Sequence, residues 1–218
     1  MDFQKNNVPA EKQVYKRFFY EPNSALRVLF VGNSITRHDP KPSIGWYRDC
    51  GMEASCLEND YVHQTEKLIR EKCPDAVFGI CHVSDFEREF DTMTDLEREF
   101  AGAAEFKGDI IVMFFGANVP NSKIDTPEKA RAYTDAYENI RNTLAGERDV
   151  KVYHVEGFYD KPVQDKAKRE IAEKYGDTYI SLGEIPKKRE YRGHFNHPND
   201  EGMAAIAKCI GEVILKAL

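Results

Sequence analysis

The sequence predicts an α/β fold in which helices cover both faces of a five-stranded parallel sheet. Short apolar runs alternate with segments of helical periodicity, and strands separated by helices require parallel crossovers. Two runs, at 26–32 and 109–116, are almost wholly apolar, as is typical of strands buried on both faces. The 218 residues, of which 41% are hydrophobic and 31% charged, are enough for one such core.

The first half of the chain supplies three of the strands. Residues 1–24 alternate between polar and aromatic positions and are expected to form an irregular N-terminal arm or a short helix, so that residues 25–218 form a single domain. Pro74 closes the first helix, because proline cannot continue one. We expect a strand at 26–32, a helix at 60–73, a strand at 76–80, a short helix at 96–104 and a central strand at 109–116.

The second half carries clearer helix-end signals. Thr126, Pro127 and Glu128 combine an N-cap, a first-turn proline and an acidic first turn. Gly146 lies where the C-terminal cap of this helix belongs, and Gly176 ends the next helix. We expect a helix between residues 126 and 146, a strand at 150–155, a helix at 165–175, a strand at 178–180 and a final helix at 199–217.

The composition disfavours several classes of partner. The net charge is −6 with acidic and basic residues interspersed, which disfavours binding to a phosphate backbone, so no nucleic acid is expected. No window approaches the roughly 18 apolar residues of a membrane span, and residues 1–7 lack the apolar core of a signal peptide. Five cysteines without a CxxC pair favour a reduced, cytoplasmic chain, although a bridge between Cys50 and Cys56 stays open.

Three polar motifs follow or precede elements that meet at one edge of the expected sheet. Gly32-Asn33-Ser34 follows the first strand, Gly116-Ala117-Asn118 follows the third, and His197-Pro198 precedes the last helix. The carboxyl ends of parallel strands are where open α/β sheets place their chemistry. Each motif also has a structural alternative, since such serines and asparagines commonly form turns and a histidine can help to cap a helix.

The combination suits acyl transfer. A serine hydroxyl becomes a nucleophile when an imidazole accepts its proton. Asn118 could donate a side-chain N–H to the developing oxyanion, and Gly116 would allow close backbone approach at the strand end. These residue types at one sheet edge therefore predict a hydrolase with a serine nucleophile.

The three motifs, in this order, resemble those of the SGNH (GDSL-type) hydrolase superfamily. The longer run Gly32-Asn33-Ser34-Ile35-Thr36, with Ile44-Gly45-Trp46 and Asp60-Tyr61-Val62-His63, resembles a largely uncharacterised bacterial subgroup. The resemblance implies a flavodoxin-like, three-layer sandwich with sheet order 2-1-3-4-5 and hydrolysis of acyl esters. It also implies that Ser34 is the nucleophile, His197 the base and Asn118 an oxyanion-hole donor.

The chain departs from the family pattern at the triad acid. The family has Asp-x-x-His-Pro, whereas the acid's position here is His194. A neutral histidine can hold the imidazole tautomer but cannot stabilise the imidazolium as a carboxylate does. We therefore consider His194, a backbone carbonyl or a carboxylate from another loop as the substitute. The family's oxyanion-hole glycine also has no clean match, and we consider Gly51 and the region of Ser84 as candidates.

The sequence thus predicts a serine esterase that acts on small acyl esters, with acetylated sugars as a family-based candidate substrate. The alternative is a catalytically weakened or inactive member that binds a small ligand in the same cleft. His82 and His154 lie at strand ends and could line that cleft. We expect no cofactor, and no metal either, since no carboxylate-rich or cysteine cluster accompanies His194 and His197.

Overall fold

The computed structural model describes residues 14–15 and 26–218, and within them one sheet of six strands. The spatial order of the strands is β1-β3-β2-β4-β5-β6, and β2 to β6 are parallel. Counted among themselves, the five parallel strands have the order 2-1-3-4-5, which confirms the prediction. The strands are β1 (Val14–Tyr15), β2 (Arg27–Gly32), β3 (Val77–His82), β4 (Ile110–Phe114), β5 (Lys151–Val155) and β6 (Thr178–Ile180).

The edge strand β1 lies in the segment predicted as an arm. It pairs antiparallel with β3, in the register Val14 to Cys81 and Tyr15 to Ile80. The other residues of the expected arm lie outside the described part of the chain, so the division at residues 24 and 25 stays a prediction.

Helices cover both faces of the sheet. They are α1 (Tyr61–Arg70), α2 (Ser84–Glu89), α3 (Leu96–Glu105), α4 (Pro127–Ala145), α5 (Pro162–Tyr175) and α6 (Asp200–Ala217). Alternate residues of β2 point to opposite faces: Val28 and Phe30 pack with α1 and α6, and Leu29 and Val31 pack with α3, α4 and α5. The three-layer sandwich is therefore confirmed.

Most helix ends lie where the sequence predicted them. The side chains of Asp60, Thr126 and Asn199 accept backbone N–H groups at the starts of α1, α4 and α6. Three differences are found. α1 ends at Arg70, three residues before the predicted end. α5 begins at Pro162, three residues before the predicted start, and the short helix α2 after β3 was not predicted.

The register of the sheet brings the candidate motifs together. Gly32 at the end of β2 lies beside His82 of β3 and Phe114 of β4. Because these strands end level with one another, the turns after them open at one edge of the sheet.

Two further expectations concern the chain as a whole. No disulfide is present among the described residues, and the thiol of Cys50 instead donates to the carbonyl of Ala54 at 3.7 Å. The Cys50–Cys56 bridge that the sequence left open is therefore not formed. Of the helices in residues 26–218, none has the length and apolar character needed to cross a membrane.

Candidate active site

Ser34 and His197, 163 residues apart in the chain, are in direct contact. The Ser34 Oγ lies 2.8 Å from Nε2 of His197, and both residues are partly exposed. This is the distance and the ring nitrogen that a serine and its general base require. The structure therefore brings together two of the residues that the motifs predicted to act on one substrate.

The turn after β2 fixes the position of Ser34. The Asn33 Oδ1 accepts the N–H of Ile35 at 3.2 Å, and the Asn33 carbonyl accepts the N–H of Thr36 at 2.9 Å. The N–H of Met52 donates to the carbonyl of Ser34 at 2.8 Å, which ties the turn to the loop before α1. The Ser34 hydroxyl therefore lies on a turn that these hydrogen bonds hold in place at the end of a buried strand.

A backbone carbonyl orients His197. The Nδ1 of His197 lies 2.9 Å from the carbonyl oxygen of Phe195, which can only accept a hydrogen bond. Nδ1 therefore carries the proton in the neutral ring, and the lone pair of Nε2 faces the hydroxyl of Ser34. This tautomer allows His197 to accept the proton of Ser34.

His194 does not occupy the position of the triad acid. Its side chain is exposed, its ring lies against that of Phe195, and the nitrogen it was considered to face is bonded to the Phe195 carbonyl. The positive φ of 60° at Asn196 and the hydrogen bond from Gly193 N–H to the His197 carbonyl form a tight turn that directs His194 outwards. Among the considered substitutes, the backbone carbonyl is the direct partner.

A carboxylate does brace this turn from another loop. Both oxygens of Glu53 accept backbone N–H groups of the turn, from His194 at 3.0 Å and from Phe195 at 3.1 Å. Sequence reasoning did not identify Glu53, which lies 141 residues before the first of these partners. No local pattern around Glu53 signals this contact.

Asn118 is held by a buried carboxylate that the sequence analysis also missed. Glu87 of α2 is fully buried and accepts Nδ2 of Asn118 at 2.7 Å and Nδ2 of Asn33 at 2.9 Å. It also accepts the backbone N–H groups of Gly116 at 2.5 Å and Asn118 at 3.3 Å. Burial raises the pKa of Glu87, and the four donors act against this rise.

Glu87 had a signal in the sequence. Val83, Phe86 and Phe90 are spaced as the buried face of a helix, and Glu87 falls on that same face. A charged residue on an apolar helical face requires partners. Here Glu87 joins the turn that carries Ser34 to the loop that carries Asn118.

The glycine candidates for the oxyanion hole have other hydrogen bonds. The N–H of Gly51 donates to the Asp60 carboxylate at 3.2 Å, and that of Gly116 donates to Glu87 at 2.5 Å. Gly116 has φ of 118°, a conformation that side-chain-bearing residues rarely adopt. Ser84 begins α2, where its hydroxyl lies 3.3 Å from Nε2 of His82. Gly51 and Gly116 therefore shape the site, and neither directs its N–H to an oxyanion.

Further side chains surround His197. The ring of Tyr159 contacts that of His197 edge-on, with centroids 6.0 Å apart. Burial lowers the pKa of His197 and nearby His38 adds to this, whereas the bond to Phe195 and the charge of Glu53 raise it. Burial, with Arg37 and His38, lowers the pKa of His82 to about 3, which keeps that ring neutral.

The other histidines of interest have structural partners. His154, which was considered for the cleft, is fully buried and lies between the Tyr137 hydroxyl at 2.9 Å and the Asp177 carboxylate at 3.0 Å. His63 pairs with its own helix cap, Asp60. Within the described ranges, no group of three His, Cys, Asp or Glu side chains could hold a metal ion.

Comparisons with known proteins bear on this geometry. No protein-family model and no curated protein matches the sequence. Among solved structures, a two-domain esterase active on acetylated mannans, crystallised with mannopentaose, matches with a TM-score of 0.61 and 20% identity, over 90% of this chain and 51% of that one. This chain therefore spans about half of that protein.

Two structures that match over nearly their whole length are also similar. An acetylxylan esterase from Geobacillus stearothermophilus has a TM-score of 0.52 and 18% identity, over 88% of this chain and 94% of that one. A candidate GDSL-like lipase from Bacteroides uniformis has a TM-score of 0.60 and 17% identity, over 89% and 97%. The chain shares the fold of these esterases and of the GDSL-like lipase. At these identities the likeness concerns the fold, so the activity is argued from the site.

Proposed function

We propose that the protein is a serine esterase that hydrolyses short acyl esters, with Ser34 as nucleophile and His197 as general base. The observation that carries this proposal is the 2.8 Å contact between Ser34 Oγ and His197 Nε2, together with the Nδ1 bond that sets the tautomer. The esterases that share the fold support the same reaction type.

The reaction proceeds in two acyl transfers. As the Ser34 oxygen attacks the ester carbonyl, His197 Nε2 takes the hydroxyl proton, and the carbonyl oxygen becomes an oxyanion. Collapse of this intermediate breaks the ester C–O bond, and His197 gives its proton to the departing alcohol. A water molecule then attacks the acyl-serine, with His197 again accepting a proton. The carboxylic acid leaves, and Ser34 regains its hydroxyl hydrogen.

Asn118 is proposed as an oxyanion donor. Its side-chain amide carries two N–H groups, one of which donates to Glu87. Glu87 thereby fixes the direction of the second N–H, and fixed donors cost no reorganisation when charge develops. The N–H of Ser34, at the same turn as the nucleophile, is the second proposed donor.

Short acyl groups, and acetyl groups on carbohydrates in particular, are the proposed substrates. The esterases that share the fold include one that is active on acetylated mannans and an acetylxylan esterase. Tyr159 beside His197 provides an aromatic wall next to the reacting atoms. We expect acetyl esters to be hydrolysed faster than decanoyl esters.

A panel of p-nitrophenyl esters from acetyl to decanoyl, assayed on the wild type and on Ser34→Ala, tests the proposal. We expect turnover that is highest for the shortest esters and absent in Ser34→Ala. The alternative, a catalytically weakened or inactive protein that binds a small ligand in the same cleft, is favoured by the missing triad aspartate at position 194. It predicts little or no turnover of any ester in the panel.

A further inference from the structure

We propose that Glu53 takes over the role of the missing triad carboxylate, as a positioning residue that acts on His197 through the backbone of Phe195. The inference rests on the proposed esterase function. Glu53 does not touch the reacting atoms. Its effect is to hold the carbonyl that orients the imidazole and to stabilise the imidazolium by its charge.

The contacts form a continuous path from carboxylate to imidazole. The Glu53 oxygens accept the N–H groups of His194 and Phe195, at 3.0 and 3.1 Å. The carbonyl of Phe195 accepts Nδ1–H of His197 at 2.9 Å. Hydrogen bonds to a carboxylate are stronger than those between neutral groups, so two of them fix this turn firmly.

The backbone on both sides is shaped for this contact. Glu53 has φ of 81°, a left-handed conformation that costs a residue with a side chain about 1 kcal/mol or more. At position 193 a Cβ atom would lie 1.9 Å from Oε2 of Glu53, so only glycine leaves room for the carboxylate. The left-handed backbone at Glu53 and the absence of a side chain at Gly193 together allow the Glu53 carboxylate to lie under the turn.

The charges around His197 are consistent with this role. The groups that face it are Ser34, Tyr159 and His38, with Arg192 beyond the Tyr159 ring and Glu53 beneath the turn. Of these, Glu53 supplies the negative charge. Its charge raises the pKa of His197, opposing the larger effect of burial and the smaller one of His38. A triad carboxylate exerts the same influence on its histidine.

Glu53→Gln removes the charge and one acceptor but keeps the length of the side chain. We expect His197 to titrate at lower pH, as followed by NMR of the full chain with the resonance assigned from His197→Gln. We also expect kcat to fall on the order of 10–10²-fold with KM little changed. This is less than the roughly 10⁴-fold lost with a directly bonded acid, because Glu53 acts through the backbone.

Glu58→Gln is the matched control, since Glu58 is exposed in the same loop; it should leave the titration and kcat unchanged. Glu53→Asp keeps the charge, so His197 should titrate closer to its wild-type pH and kcat should be higher than in Glu53→Gln. Gly193→Ala displaces the carboxylate without deleting it and should shift the titration in the same direction as Glu53→Gln, which provides a second test if Glu53→Gln does not fold.

A folded Glu53→Gln whose His197 titrates as in the wild type overturns the proposal, even if kcat falls, because the residue would then brace the loop only. The titration needs no substrate. Absence of ester turnover in the wild type would therefore refute the esterase function separately, while the NMR result still decides the role of Glu53.

Discussion

Replacing Glu87 with glutamine tests whether the buried carboxylate organises the site. All four groups that form hydrogen bonds with Glu87 are N–H donors, from Asn33, Gly116 and Asn118. A glutamine has the same shape but presents an NH₂ group to one part of this set. The least costly orientation keeps the oxygen towards Asn33 and Gly116 and places the NH₂ against Nδ2 of Asn118, donor against donor.

The expected cost follows from that orientation. One charge-assisted hydrogen bond is lost, worth about 1.5–3 kcal/mol, and the remaining ones become neutral. Burial raises the pKa of Glu87, so removing the charge relieves part of its desolvation penalty and offsets some of this loss. We expect a net loss of about 2 kcal/mol in the free energy of unfolding, or roughly 4–8 °C in Tm for a domain of this size.

The functional effect should follow Asn118. Its amide loses the anchor that directs the second N–H, so kcat should fall by roughly 10–10²-fold, less than for deletion of an oxyanion donor. Thermal denaturation and ester turnover are measured beside Glu89→Gln, an exposed position in the same helix. If Glu87→Gln matches Glu89→Gln in both Tm and kcat, the network around Glu87 does not organise the site.

Three further predictions address single groups. Asn118→Ala should lower kcat by roughly 10²–10³-fold with a much smaller change in KM, and an unchanged kcat would make Asn118 a turn residue only. His194→Asp should leave kcat and its pH profile unchanged, because the side chain at this position points away from Nδ1 of His197; a clear gain in kcat would contradict the observed turn. Burial holds the pKa of His197 below the usual 6.5, and the base form of the ring is lost as the pH falls through that pKa. We therefore expect kcat/KM to stay constant down to below pH 6.5 and to fall only at lower pH. A fall centred above pH 6.5 would contradict this environment.

The layers of the fold could be predicted because they depend on local patterns. Apolar runs placed the five parallel strands, and caps such as Thr126 and Asn199 placed the helix starts. The edge strand Val14–Tyr15 was not predicted, since two residues carry too little pattern and depend on pairing with β3.

The site could be predicted in part. The contact between Ser34 and His197 could be predicted because short motifs mark the ends of their elements. The sequence left three substitutes for the acid open, and His194 does not face His197, because a motif position does not fix the direction of a side chain in a turn with a positive φ at Asn196. Glu53 accepts a hydrogen bond from His194, 141 residues later in the chain, and Glu87 accepts one from Asn118, 31 residues later. Such long-range contacts depend on the assembled fold.

Ser34 is proposed as a nucleophile that His197 activates. Incubation of the folded protein with a fluorophosphonate probe, followed by peptide mass spectrometry, tests whether the Ser34 hydroxyl is reactive. We predict a covalent adduct on Ser34 that forms much more slowly in His197→Ala and is absent in Ser34→Ala. If Ser34 of the folded wild-type protein remains unmodified under excess probe, Ser34 is not the nucleophile; if His197→Ala reacts as fast as the wild type, His197 does not activate it.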